Sequence, residues 1–155
     1  MIYKAKKEDA KIIAELAIRM WNHHTIEELT ADFEEIIEKE DAAVLLMTAG
    51  KTPMGFAQCQ LRHDYVEGTE SSPVGYLEGI YIADDYRRQG CARKLLEKCQ
   101  IWAKEQGCTE FASDCEITNE VSYQFHLKMG FIEANRIICF TKPLYPVSPE
   151  DVADL

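Results

Sequence analysis

The chain has no run of about 18 apolar residues, the length a helix needs to cross a membrane, so no transmembrane segment is expected. Its first residues, MIYKAKKED, lack the apolar stretch of a secretory leader, and a cytoplasmic location is the expectation. The six cysteines, at 59, 91, 99, 108, 115 and 139, include no C-x-x-C pair. Disulfide-built secreted domains are shorter and denser in cysteine, and zinc-ligand spacing is missing. All six are therefore predicted to be reduced, with no metal site. Positive charge is scarce: 17 Lys and Arg stand against 27 Asp and Glu, a formal net charge of −10. That argues against nucleic acid, whose phosphates need a basic face. It suits a cationic small molecule or a basic peptide, and equally suits plain solubility. Repeats and low-complexity linkers are also missing. With 155 residues, 46% of them hydrophobic, the chain can build one substantial core. One domain over residues 1–145 is predicted, followed by a flexible tail at 146–155.

What is present reads as alternating elements. Residues 2–5 form a short strand. Ile13, Leu16, Ala17, Met20 and Trp21 recur at helical spacing and predict a helix over 8–22. Thr25 and Glu28 make the T-x-x-E of a capping box, opening a second helix with the stripe Ile26, Leu29, Phe33, Ile36 and Ile37. Strands are predicted at 42–48 and 54–62, then a polar loop at 63–73, then the longest apolar strand at 74–83. A helix follows, with Ala92, Leu95, Leu96, Cys99, Trp102 and Ala103 on one face. A strand at 110–115, a helix at 119–129 ending at Gly130, and a strand at 131–142 complete the series. The order βααβββαβαβ predicts an α/β (α+β) fold, a mixed sheet with helices on both faces.

The stretch DDYRRQGCARKLLEKC, residues 84–99, joins the longest strand to an amphipathic helix. The free N–H groups and the dipole of a helix start attract anions. Gly90 lets a ligand approach the backbone, and Arg87, Arg88 and Arg93 surround it with charge. A plain helix start with solvated arginines is the other reading of the same residues. Glu78 lies in L-E-G-I-Y, where the two-residue period places 76, 78, 80 and 82 on one face. It is either a paired structural acid or a substrate ligand and general base. Asp114 ends the next strand and precedes the 119–129 helix, where its plain reading is a helix cap.

The pattern R-x-x-G-x-A, written here Arg87-Arg88-Gln89-Gly90-Cys91-Ala92, is followed by Asn119 eleven residues before Gly130-Phe131. Together with the element order it resembles the GNAT superfamily of N-acetyltransferases. W-x-x-H (Trp21, His24), YVEGTESSPVGYLEGIYI (65–82), WAKEQGCTEFASD (102–114) and FIEANRIICF (131–140) are similar to the aminoglycoside 6′-N-acetyltransferases within it. The resemblance implies acetyl-CoA as co-substrate and no metal. It implies a pyrophosphate cradle at Arg87, Arg88, Gln89, Gly90, Cys91, Ala92 and Arg93, and strand-like pairing with the backbone of Ile80, Tyr81 and Ile82. The helix opened by Asn119 would pack beside the cofactor. Trp21, His24, Tyr65, Glu67, Glu78, Asp114, Glu133 and Asn135 would line the site of a cationic aminoglycoside. Close relatives carry an acid where this chain has Asn135. Many GNAT proteins carry a tyrosine where this chain has His126, which is left as thiolate acid, cofactor contact or core residue. The resemblance further implies a homodimer. An acetyltransferase of polyamines or protein N-termini, or a non-catalytic acyl-CoA-binding module, would share parts of this pattern.

Overall fold

The computed structural model of the chain describes residues 1–146 and 148–152. Its elements are β1 (Ile2–Lys4), α1 (Ala10–Ala17), α2 (Ile26–Glu38), β2 (Ala42–Ala49), β3 (Thr52–Arg62), β4 (Val74–Ile82), α3 (Cys91–Glu105), β5 (Phe111–Ser113), α4 (Glu120–Lys128) and one turn, α5 (Pro149–Val152). The sheet order is β1-β2-β3-β4-β5. All neighbours are antiparallel except β4 and β5, which run parallel.

Alternation along β2 sorts the core into two layers. Ala43, Leu45 and Met47 join Ala57, Cys59 and Leu77 under Leu95, Leu96, Cys99 and Trp102 of α3. Val44 and Leu46 join Phe56 and Tyr81 under Ile13, Ala17, Leu29 and Phe33 of α1 and α2. Burying side chains such as Phe33, Phe56 and Leu95 is worth about 1.5–3 kcal/mol each. The mixed sheet covered on both faces is the predicted one.

Three expectations are corrected. The helix predicted to reach 22 ends at Ala17, and its tail tightens into turns in which Met20 and Trp21 both donate to the Ala17 carbonyl. This releases Trp21 to stack on Phe33 (ring centroids 6.2 Å apart) and meet Phe56 edge-on (6.1 Å). Second, the two-residue period breaks inside β4. Gln58 pairs with Gly79 but Cys59 with Leu77, so Glu78 is the extra residue of a β-bulge. Ile80 and Ile82 consequently pack on the α3 layer with Leu77, while Tyr81 faces α1 and α2. Glu78 therefore does not share a face with Ile80 and Ile82. Third, residues 131–142 form no ladder: they have no strand partner among the described residues. The order reads βααβββαβα up to residue 128. The tail expected to be flexible holds α5, and Val147 and 153–155 lie outside the described residues.

Candidate active site

Two features of β4 create an opening. β5 accompanies it for three pairs only, Gly75–Phe111 to Leu77–Ser113. From the bulge at Glu78 to Ile82, β4 keeps β3 on one side and no strand on the other among the described residues. A row of backbone groups is thereby offered to an extended ligand, as in strand addition. Ile80, Tyr81 and Ile82 belong to this bare edge.

Beyond Ile82 the chain makes a short 3-10 turn (Asp84–Tyr86) and enters α3. Arg88 has φ 62 and Gly90 has φ 78. Left-handed residues on either side of Gln89 curl the backbone in the manner that gathers N–H groups into an anion-binding concavity. A Cβ at Gly90 would meet nothing within 4 Å, so the glycine leaves space above the helix start. Arg87 folds back on the strand end, donating from Nε to the Ile82 carbonyl (2.9 Å) and pairing with Asp84 (3.1 Å). Gln89 donates to the Asp85 carbonyl (3.2 Å), and Arg93 reaches the Lys128 carbonyl at the end of α4 (3.4 Å). Cys91 is buried in the first turn and Ala92 packs beside it. These residues fit a pyrophosphate: open space, a helix start and three guanidiniums. Asn119 spends its side chain on capping α4, accepting from the Ser122 N–H (3.1 Å).

The other end of the bare edge is acidic. Glu78 is held by Arg62, the last residue of β3, whose Nε and Nη2 donate to Oε1 (3.0 and 2.9 Å) and whose Nη2 also donates to Oε2 (3.0 Å). The same guanidinium lies 3.4 Å from the centroid of the Tyr76 ring. Tyr76 in turn donates its hydroxyl to Asp114 Oδ2 in a short hydrogen bond. Burial, followed by the bond to Asp114, pushes the Tyr76 phenol well above its ordinary value, which keeps it a donor. Glu78 and Asp114 are thus brought together through Arg62 and Tyr76. Trp21 stands over the next residue of β4: a Cβ on Gly79 would lie 2.8 Å from the indole ring.

His126, on α4, is tied to the same place. Its Nδ1 faces the Ser122 carbonyl (2.6 Å) and so carries the proton, while Nε2 meets the Ser113 hydroxyl (2.8 Å). Ser113 lies 3.3 Å from the Leu77 carbonyl, one residue before Glu78. Both ring nitrogens are engaged within the protein, and the ring is wedged between Phe125 (5.4 Å) and Phe131 (5.1 Å). The residues of the loop before β4 arrive by a different route. Val66, between the exposed Tyr65 and Glu67, is buried with Val74 and Tyr76. Glu67 accepts from Asn135 (2.8 Å) and Glu133 from Arg136 (2.5 Å), and Gly68 packs closely on Ala134. His24 stays exposed and pairs with Glu28 at 3.4 Å, away from these contacts.

The family model of the acetyltransferase (GNAT) family matches residues 7–131. The chain belongs to this family. Among curated GNAT relatives, an aminoglycoside N(6′)-acetyltransferase type 1 of Stenotrophomonas maltophilia is 39% identical over 147 residues, 94% of each chain. Its counterpart in Serratia marcescens is 42% identical over 132 residues, 83% of this chain and 90% of the relative. Of the solved structures, AAC(6′)-Iy in complex with a bisubstrate analog, CoA-S-monomethyl-acetylneamine, superposes with a TM-score of 0.87 at 35% identity, covering 92% of this chain and 97% of that one. The apo 6′-N-acetyltransferase AAC(6′)-IG of Acinetobacter haemolyticus gives 0.89 at 32% identity over 94% and 99%. Among the described residues no group of His, Cys, Asp and Glu could hold a metal ion, and no helix is long and apolar enough to cross a membrane.

Within this GNAT frame, sequence reasoning missed Arg62, Tyr76 and Ser113. Tyr76 had a signal, since it stands two residues before Glu78 on the same strand. Arg62 had a weaker one: it is the cation that ends β3, the hairpin partner of β4. Ser113 had none, because its role depends on α4 folding back over β5.

Proposed function

We propose that the protein transfers the acetyl group of acetyl-CoA to the 6′-amine of aminoglycoside antibiotics and thereby confers resistance. The observation that carries this reading is the bare edge of β4, Glu78 to Ile82, with an anion-ready turn at one end and two linked carboxylates at the other. The names of the relatives supply the position of attack. Acetyl-CoA, when bound, supplies an activated acyl group as a thioester. Residues 87–93 receive its pyrophosphate, and Ile80, Tyr81 and Ile82 offer backbone groups to its pantetheine arm. A backbone N–H on that edge is a donor for the thioester oxygen. Asp114 attracts the substrate cation, and Glu78 accepts an amine N–H and receives its proton, directly or through water. Trp21 walls the sugar, and Glu67, Glu133 and Asn135 take amines further out, with Tyr65 and His24 at the rim. His126 locks α4 to β5 through Ser113. A leaving thiol with an ordinary pKa of about 8.5 needs little protonation to depart.

A cytoplasmic location and a homodimer belong to the same reading. Six free thiols suit a reducing compartment. Residues 131–145 have no strand partner among the described residues and expose several large apolar side chains, and a second copy would cover them. The reading is tested by following thiol release from acetyl-CoA with kanamycin, spermidine and a basic peptide in parallel, with mass spectrometry of the product. Turnover of kanamycin with acetylation at the 6′-amine is expected. Turnover of spermidine or the peptide alone would point to another amine class, and acetyl-CoA binding without turnover to a non-catalytic module.

A further inference from the structure

Arg62 has no role in the chemistry above, yet it grips the carboxylate nearest the bare edge. Nε and Nη2 of one guanidinium hold both oxygens of Glu78, with Nη2 shared between Oε1 (2.9 Å) and Oε2 (3.0 Å). Of the roughly four lone-pair sites of a carboxylate, those away from this fork stay open to an N–H donor. The guanidinium is planar, permanently charged and laid on the Tyr76 ring at 3.4 Å, so the fork fixes the carboxylate in one orientation. Glu78 therefore sits in a pair of zero net charge, with side chains 38% (Arg62) and 21% (Glu78) exposed. An arriving ammonium would meet a neutral pair with a like charge beside it, which disfavours the charged form. An uncharged amine needs only one acceptor for an N–H and keeps its own lone pair for attack. Asp114 is joined to this pair only through the neutral phenol of Tyr76 and retains its pull on cations.

We propose that Arg62 is a positioning residue for the acetyl transfer: it presents Glu78 as a neutralised carboxylate fixed in one orientation, with acceptor capacity left outside the fork, selecting the uncharged over the protonated form of the substrate amine. This rests on the reading of Glu78 as the amine ligand. Three variants, Arg62→Gln, Arg62→Lys and Glu78→Gln, and the double variant Arg62→Gln/Glu78→Gln, test it by steady-state kinetics with kanamycin, with acetyl-CoA affinity and melting temperature alongside. Arg62→Gln is expected to lower kcat at least tenfold while the kanamycin KM stays level or falls, because the ammonium then binds well but remains protonated. Arg62→Lys, with the charge but not the fork, should recover part of kcat. In the Glu78→Gln background, Arg62→Gln should cost less than a further twofold. Wild-type kcat in Arg62→Gln, a raised KM with kcat unchanged, or a full additional loss in the double variant would overturn the proposal. If Arg62→Gln melts far below the wild type, Arg62→Lys decides: reduced kcat at unchanged KM upholds the proposal, and wild-type kcat overturns it. Failure of the substrate reading looks different, since the wild type would then turn over spermidine or the peptide and not kanamycin. The same variants assayed on that amine would still decide the role of Arg62.

Discussion

Glu78 and Asp114 differ in what already holds them, and this separates their expected roles. Glu78 is clamped by a cation, Asp114 by a neutral phenol. Glu78→Gln keeps the shape but leaves Arg62 without its counter-charge; kcat/KM should fall by about two orders of magnitude with acetyl-CoA affinity nearly unchanged. Asp114→Asn should act mainly on the aminoglycoside KM. If both residues serve one amine, the losses should not add, and steady-state kinetics of the two singles and the double variant reads this directly. Near-wild-type activity in Glu78→Gln would leave deprotonation to bulk water. Tyr76 supplies a pH signature. Its folded value is raised, so its contribution to stability is complete below the unfolded value of about 10 and is lost as pH climbs through the higher folded value. Melts between pH 8 and 11 should show that the wild type loses stability at the alkaline end and that Tyr76→Phe loses less. The two acids were legible in the sequence because carboxylates near a long apolar strand demand an explanation. Arg62 was not, since a cation at a strand end beside a polar loop looks solvated until the hairpin register lays it over Tyr76.

Elements with strong local signals were read correctly. Thr25 caps α2 through the Glu28 N–H at 3.1 Å, and Gly130, with φ 93, follows the end of α4. The bulge in β4 was hidden because it is written in the pairing of Gln58 and Cys59 with β4 rather than in any spacing along β4 itself. It matters for the site: it frees Glu78 from the ladder and sets Gly79 beneath Trp21. Trp21 is pinned by Phe33 and Phe56, so it has little room to retreat from a methyl group on Gly79. Gly79→Ala should raise the aminoglycoside KM about tenfold by displacing the indole, with acetyl-CoA affinity kept; unchanged KM would remove Trp21 from the sugar wall. Gly90 is the converse case. Its Cβ position is open, so the cost of a side chain lies in the backbone conformation at φ 78 and in the space owed to a ligand. Gly90→Val should abolish acetyl-CoA binding in calorimetry while circular dichroism stays native. Unchanged affinity would remove the anion-site reading of residues 87–93.

At the scale of the whole molecule, the segment after α4 is the part its own chain does not explain. Phe131 packs on the α3 layer and Asn135 reaches Glu67, so the segment leaves the core and touches the loop that carries Glu67. From there its apolar side chains face solvent: Ile138 is 81% exposed, Phe140 88% and Leu144 94%. A chain with net charge −10 has little reason to expose several large apolar side chains in one segment, and apolar patches mark surfaces that a partner covers. The sequence pattern predicts a strand here, and a strand needs a partner to pair with; among the described residues this segment has none. The expected outcome in light scattering after size exclusion is a mass of about twice 17.7 kDa. Ile138→Asp combined with Phe140→Asp should shift the protein toward the single-chain mass. Because Glu133 and Asn135 lie in the same segment, the dissociated variant should also show a higher aminoglycoside KM, whereas acetyl-CoA affinity, assigned in the proposed function to α3 and β4, should change little. A wild type that elutes as a monomer at assay concentration would separate the two ideas: the apolar side chains would then need a different cover, and the contact between Asn135 and Glu67 would have to hold the segment within one chain.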